Sequence, residues 1–522
     1  MTPRTSRRAA RTAFVGLAAA ALGGSLLAAP ASAAGETDAA IAWADSQLVD
    51  GLVVNQQFDF TDVGLSIDVG LLALAAGEDQ VAQRVFDAVV PQIENYVGGG
   101  EAGGDGEVYA SSVAKAARFV QLAGGDPTDV SGRDLITDLE VLTDDETGRI
   151  GDQSEFGDFA AVIGQSFAAA ALAAAGSPEA ERALSLLLDQ QCPGGGFRAG
   201  LGGGDAGATC TDDDLANVDS TALAVQLLAG ADIAAEARAA AAGWLTEEQS
   251  ADGSYAELGA ENTNSTGLAG YALALEGREA AATRAADYVR GLQVRAPGVC
   301  TDPDEGAVAF DRAGFDTQKL EGISESSVDQ FLRATAQAGL SLGAASDPTS
   351  DLTATGPSRY VRAQTLQPVL VSGLASRDTV CVSNNGFGID EVAGIDGTST
   401  LRVTTGPGTA TRTYTVEDTY GRTSEVSMDV LGRTRLDVTT PDRRRKGAKM
   451  RVVATGLAPG EQASLVVSRG DRRTASANDA GRVVFRGVDV ARPAGTRTYV
   501  VRGEFGRIRK GSDTVRVLRA RS

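Results

Sequence analysis

Two kinds of patterning divide the chain. From about residue 38 to 345, apolar stretches at helical spacing alternate with amphipathic ones. "STALAVQLLAG" (220–230) and "STGLAGYALAL" (265–275) are apolar on most faces and rich in alanine, which predicts buried helices. Ser220 and Thr221 suit the capping of a first turn, and Gly230 suits a helix end. "AEARAAAAGWLTEEQ" (235–249) is amphipathic and predicts an outer helix. Beyond "GAASDPTSDLTATGPSRY" the residues become Thr, Val, Arg and Gly in two-residue alternation, the pattern of strands.

The helical part repeats. In "WLTEEQSADGSY" (244–255), Gln249 is followed by Gly253 four residues on and Tyr255 six on. Gln191, Gly195 and Phe197 keep that spacing, as do Gln47, Gly51 and Val53. Tyr288 and Gln293 repeat the first half, and degenerate copies surround Gly106 and Gly148. The glycines at 51, 106, 148, 195 and 253 are 42 to 58 residues apart, room for two helices each. A unit ending "ISESSVDQFLRATAQAGLSLG" closes the series near residue 345. Six buried helices inside six outer ones make an α6/α6 toroid.

The Trp244-Leu245 … Gln249 … Asp252-Gly253-Ser254-Tyr255 string resembles the repeat of the terpene cyclase and protein prenyltransferase toroid superfamily, over roughly residues 38 to 345. The resemblance implies that the Gln and the terminal aromatic fasten one repeat to the next. That role falls on Gln249 with Tyr255 and on Gln191 with Phe197; Tyr or Phe stands where the family often has Trp. The family's chemistry does not carry over. Class II terpene cyclases protonate substrate from Asp-x-Asp-Asp, and the window here is Thr211-Asp212-Asp213-Asp214. The two tryptophans, Trp43 and Trp244, occupy repeat-fastening positions, leaving few aromatics to stabilise a carbocation. Prenyltransferases need a zinc with a His ligand, and the chain has no histidine. That absence also removes Ser-His and Cys-His nucleophilic pairs. The balance leans away from an enzyme.

A second duplication occupies the C-terminal third. "VSGLASRDTVCV" (371–382) returns as "VATGLAPGEQASLVV" (453–467), with Gly373 matching Gly456 and Thr411 matching Thr496. Two tandem sandwiches of this length are similar to bacterial immunoglobulin-like domains. The expected organisation is a signal peptide at 1–33, a toroid at 34–346, and immunoglobulin-like domains at 352–434 and 435–522. Arg4, Arg7, Arg8 and Arg11 precede an Ala/Leu-rich run and an Ala31-Ser32-Ala33 cleavage site, so a secreted or wall-associated protein is expected. The Arg7-Arg8 pair leaves general and twin-arginine export both open. Four cysteines in an exported chain suggest two disulfides with three connectivities. Cys192 and Cys210 flank one Gly-rich loop and are the easiest pair, which leaves Cys300 for Cys381.

Charge is unevenly placed. From Arg433 onward there are 22 Lys+Arg against 8 Asp+Glu, and the rest carries 25 against 61. The basic end suits an anionic wall polymer better than nucleic acid, given export; the Arg443-Arg444-Arg445-Lys446 run is otherwise a solvated strand end. Candidate toroid-rim residues for a small or lipid-like ligand are Tyr109, Phe156, Asp158, Asn217, Asp219, Asn262, Asn264 and Glu325, each with a capping or packing role as the plainer explanation. "CTDDD" and "CTDPDE" offer Asp212, Asp214, Asp302 and Asp304 as oxygen donors for a structural Ca²⁺, set against a reading as solvated loop carboxylates. No other cofactor is implied. The leading expectation is an exported, non-catalytic binding protein with a toroid ligand cleft and β-sandwich spacer or adhesion modules. A polysaccharide hydrolase or lyase, working through paired carboxylates or a Tyr base, and a purely structural wall protein are the alternatives.

Overall fold

The computed structural model describes residues 31–98, 106–201, 208–257, 259–384, 387–466, 472–490 and 493–519. The expected signal peptide lies, up to residue 30, outside the described residues.

Six inner helices form a ring: Val63–Ala76, Ala110–Leu122, Val162–Ala175, Val218–Leu227, Thr263–Leu275 and Val328–Ala338, the last continued by the 3-10 turn Gly339–Ala344. Each packs on the next, and the sixth returns to the first. Outside them run Ala31–Ser46, Asp79–Val89, Leu135–Leu142, Ala180–Asp189, Ala235–Glu248 and Glu279–Arg290. The toroid expected from the apolar periodicity is formed.

The repeat string explains how the ring is assembled. Gln249 Nε2 donates to the Gly253 carbonyl of its own turn at 3.2 Å and to Ala281, in the following outer helix, at 2.9 Å. Gln191 does the same with Gly195 (2.8 Å) and Ala237 (2.7 Å). Gln293 binds Gly306 (3.2 Å) and Glu36 (2.9 Å), so the same clamp closes the ring onto the first helix. The turn glycines have positive φ, +95° at Gly253 and +101° at Gly306. A Cβ there would also meet the next outer helix, 2.1 Å from the Arg284 carbonyl oxygen or 2.0 Å from that of Ala39. Only glycine satisfies both constraints.

The strands form two sandwiches. In the first, Thr398–Thr404, Leu366–Ser372 and Thr353–Thr355 face a sheet ordered Val361–Arg362, Thr423–Leu431, Ala410–Asp418, Thr379–Asn384 and Phe387–Val392. In the second, Asp437–Thr439, Lys449–Thr455 and Val483–Asp489 face a sheet ordered Thr434–Arg435, Arg509–Leu518, Gly495–Arg502, Gln462–Val466 and Arg472–Ser476. Arg443–Arg445 also pairs with Arg509–Leu518. Alternating valines fill both cores.

Disulfides join Cys192 to Cys210 and Cys300 to Cys381, the second bonding the toroid to the first sandwich. Around it lies a polar seam. Arg290, 1 % exposed, pairs with Glu36 at 3.0 Å and donates to the carbonyls of Ser376 (2.9 Å) and Ser346 (2.8 Å). Arg377 stacks over Tyr288 at 5.0 Å and reaches Asp252 at 3.3 Å.

Candidate functional site

In five repeats, the amide of the residue ending the turn donates to a side-chain oxygen on the inner helix. Val53 meets Ser66 (2.9 Å), Ile150 meets Gln165 (3.0 Å), Phe197 meets Thr221 (2.8 Å), Tyr255 meets Thr266 (2.9 Å) and Val308 meets Thr335 (2.9 Å). These bonds hold the inner helices at one height. Two residues further on, the side chains turn toward the ring axis: Asp68, Phe167, Leu223, Leu268 and Gln337, with Lys115 on the remaining helix. One turn beyond come Leu71, Gln226, Tyr271 and Leu340. All ten wall a cavity of about 290 Å³ to which every inner helix contributes. That is at the lower edge of the size usual for small-molecule sites, roughly 300–1,000 Å³.

Leu, Ile, Phe and Ala make up eight of the seventeen wall residues, yet the wall contains a charge pair. Lys115 Nζ lies 2.6 Å from Asp68 Oδ1, with side chains 18 % and 19 % exposed, and donates to the Gly64 carbonyl at 2.9 Å. Burial works against the ammonium, but Asp68, together with Tyr96 and Asp62, outweighs it and raises the Lys115 pKa. Burial raises the Tyr96 and Tyr271 phenols beside it, which stay neutral. Arg118 is different. It occupies the position on its helix that Leu71, Gln226, Tyr271 and Leu340 hold on theirs, three residues beyond Lys115. Burial lowers its pKa, its Nε has no hydrogen-bond partner, and among the described residues no carboxylate pairs with it. A larger cleft of about 620 Å³ lies between the sandwiches, lined by Tyr360, Asp429, Gln462 and Glu504. Its lining is mostly polar and exposed, so the apolar-walled lumen is the better candidate.

The eight rim residues expected from the sequence stand elsewhere than in this wall. Most belong to the first turn of an inner helix or to the loop before it. Asn217 and Asn262 are N-caps, accepting from Ser220 N at 2.9 Å and Ser265 N at 2.8 Å. Tyr109 precedes Ala110–Leu122, and Asn264 Nδ2 donates to Gln337 at 2.7 Å. Asp158 is paired with Arg149 at 2.5 Å, while Phe156 and Glu325 are exposed. Asp219 is the exception in character: burial raises its pKa against a hydrogen bond from Ser265, and its Oδ1 has no partner. The converging helix N-termini are already supplied with acceptors, including Asp62 and Asp152.

Three of the four acidic loop residues accept hydrogen bonds from the chain, and the fourth, Asp214, is exposed. Asp212 accepts from Asp214 N at 3.0 Å, while Asp302 and Asp304 both accept from Gln318 Nε2, at 3.1 and 3.2 Å. Among the described residues no three metal-ligating side chains converge.

The lumen residues carried a sequence signal of their own. Asp68 is the one charge in "VGLSIDVGLLALAA", and Lys115 and Arg118 are the charges in "ASSVAKAARFVQL". A charge inside a buried apolar helix needs a partner or a purpose.

Solved structures are similar to parts of this chain. A protein from Actinoplanes is 21 % identical, with a TM-score of 0.43, over 60 % of this chain and 100 % of its own. A type II terpene cyclase from Scytonema is 16 % identical, with a TM-score of 0.41, over 60 % of this chain and 97 % of its own. The strand-rich part is similar to the extending-region repeats of a large adhesion protein, at 18 % identity and a TM-score of 0.17, over 32 % of this chain and 49 % of that one. No protein-family model and no curated protein matches the chain.

Proposed function

We propose that this is an exported, non-catalytic binding protein. Its toroid lumen holds a small ligand with an apolar body and a polar or anionic end, and the sandwiches act as spacer or adhesion modules. The observation that carries this reading is the Lys115–Asp68 pair set in an apolar wall built by all six inner helices. A buried ion pair contributes little net stability, because desolvation offsets the attraction. A toroid that served only as a scaffold would gain more by filling the same space with leucine. Two disulfides suit an exported protein, and among the described residues no helix is long and apolar enough to cross a membrane.

The test is native mass spectrometry of the protein secreted from a bacterial host. A discrete extra mass that leaves on unfolding is expected, and Phe167→Trp, which fills the lumen, should abolish it. A bare polypeptide mass from both proteins would overturn the reading.

Asp219 favours a second reading, as a hydrolase or lyase acting on extracellular polysaccharide. Burial raises the Asp219 pKa, the direction of shift that a general acid requires, and its Oδ1 has no partner. Polysaccharide cleavage by the wild-type protein, lost in Asp219→Asn while the fold is retained, would establish that reading over the first.

A further inference from the structure

Three neighbouring strands of the larger sheet pair in matching register in the two sandwiches, so their outer faces can be compared position by position. In the first, Cys381 lies opposite Glu417 and Asp390, and Asp429 lies opposite Thr411. In the second, Ser464 lies opposite Arg502 and Thr474, and Arg516 lies opposite Thr496. The same sheet face therefore reads Cys381, Glu417 and Asp429 in one copy and Ser464, Arg502 and Arg516 in the other.

In the first copy this face is occupied. Cys381 is bonded to Cys300, Gly298 packs on Glu417, and Lys319 pairs with Asp390. In the second copy, among the described residues, no disulfide or ion pair ties this face to another domain, and its charge is inverted. Arg435, Lys510 and Arg502 stand side by side across three strands at one end. Arg516, Arg443 and Arg445 stand together at the other. All six are exposed, and among the described residues none is in an ion pair with a carboxylate. Between the clusters the outward positions are Thr496, Thr498, Ser512 and Thr514, hydroxyls that can donate to anionic oxygens, with Val500 beside Ser512. Six residues separate Arg502 from Thr496, so the clusters lie about 20 Å apart along the strands.

Charges that merely guard a sheet edge belong on the edge strand. Arg502 is on Gly495–Arg502, an interior strand between Arg509–Leu518 and Gln462–Val466, so edge protection does not account for it. A compact anion would satisfy one cluster only. We propose that this face of the second sandwich binds a linear phosphate polymer of a cell envelope, lying along the strands and bridging both clusters over the hydroxyl strip. This site is independent of the lumen and does not rest on its ligand.

The experiment uses the full chain and long-chain inorganic polyphosphate, with orthophosphate and duplex DNA alongside. Six contacts to a single-chain polyanion predict a log–log salt slope of roughly −4. The variant Arg502→Glu with Arg516→Asp installs what the first sandwich already carries at those positions, so the fold tolerates it. It should weaken polyphosphate binding more than tenfold and flatten the slope, with circular dichroism unchanged. Unaltered affinity in that variant, orthophosphate competing as well as polymer, or tighter binding of duplex DNA would each overturn the proposal. So would low-salt self-association, seen by sedimentation, that the variant abolishes while polyphosphate affinity persists. That result would give the face to the acidic toroid of a second copy, which carries 15 Lys+Arg against 51 Asp+Glu over residues 34–346.

Discussion

At the scale of single residues, the repeat is held by a few positions with steric or hydrogen-bonding duties. Gly253 combines φ of +95° with a neighbouring carbonyl 2.1 Å from where a Cβ would be. Gly277 has φ of +68° and open space around it. Gly253→Ala should therefore cost at least about 1 kcal/mol more than Gly277→Ala in chemical denaturation, since both pay the backbone strain and only one meets a clash. Equal costs would mean the turn relaxes away from the Arg284 carbonyl.

At the scale of elements, the degenerate repeat at Gly148 shows how the architecture survives loss of its motif. Its outer helix, Leu135–Leu142, ends without the clamping glutamine. Gln165, on the inner helix, takes over. Its Nε2 donates to Gly148 and Ala183, each at 3.0 Å, and its Oε1 accepts from Ile150 N at 3.0 Å. One side chain thus does the work divided elsewhere between Gln249 and Thr266. Gln165→Thr restores an acceptor for Ile150 but reaches neither carbonyl, whereas Gln165→Ala loses all three bonds. The alanine variant should be the less stable of the two by about 1 kcal/mol, both lying below wild type in thermal unfolding.

At the scale of the whole molecule, the seam between toroid and first sandwich should make stability depend on pH. Asp378 stands where Glu461 stands in the second sandwich. Glu461 is met by Arg509 at 2.7 Å, while Asp378 Oδ2 has no partner. Burial pushes its pKa up to about 7, against a hydrogen bond from Thr419 and the field of Arg290, with Asp418 and Glu36 adding to the rise. The folded state therefore holds a proton that the unfolded chain releases near pH 4. Stability from this group is full below about pH 4 and falls as pH rises toward about 7. Asp378→Asn should remove that slope and leave the protein more stable than wild type at pH 8, on the order of 1–2 kcal/mol by denaturant titration. A variant with the wild-type slope would place the titration on Glu36, which burial also raises and Arg290 opposes. The Cys300–Cys381 bond closes a separation of 81 residues across the same seam. Replacing both by Ser should cost up to about 4–5 kcal/mol on the chain-entropy model and split one melting transition into separate toroid and sandwich transitions.

The toroid, the duplicated sandwiches and the fastening role of Gln191 and Gln249 were legible in the chain because they rest on periodicity and on short-range spacing. Each repeat uses the same residues at the same offsets, so the signal accumulates. The lumen was not legible in that way. Asp68 and Lys115 are 47 positions apart on different helices, and they meet only because those helices pack side by side in the ring. Of the rim residues chosen from polar clusters, Asn217 and Asn262 are caps, since Asn before an apolar run satisfies orphan amides wherever the helix points. Likewise the basic composition of the last 90 residues was plain from the sequence, but its division into two clusters on one sheet face comes from strand register. Local pattern specifies which elements form; which side chains face one another depends on packing between elements distant in the chain.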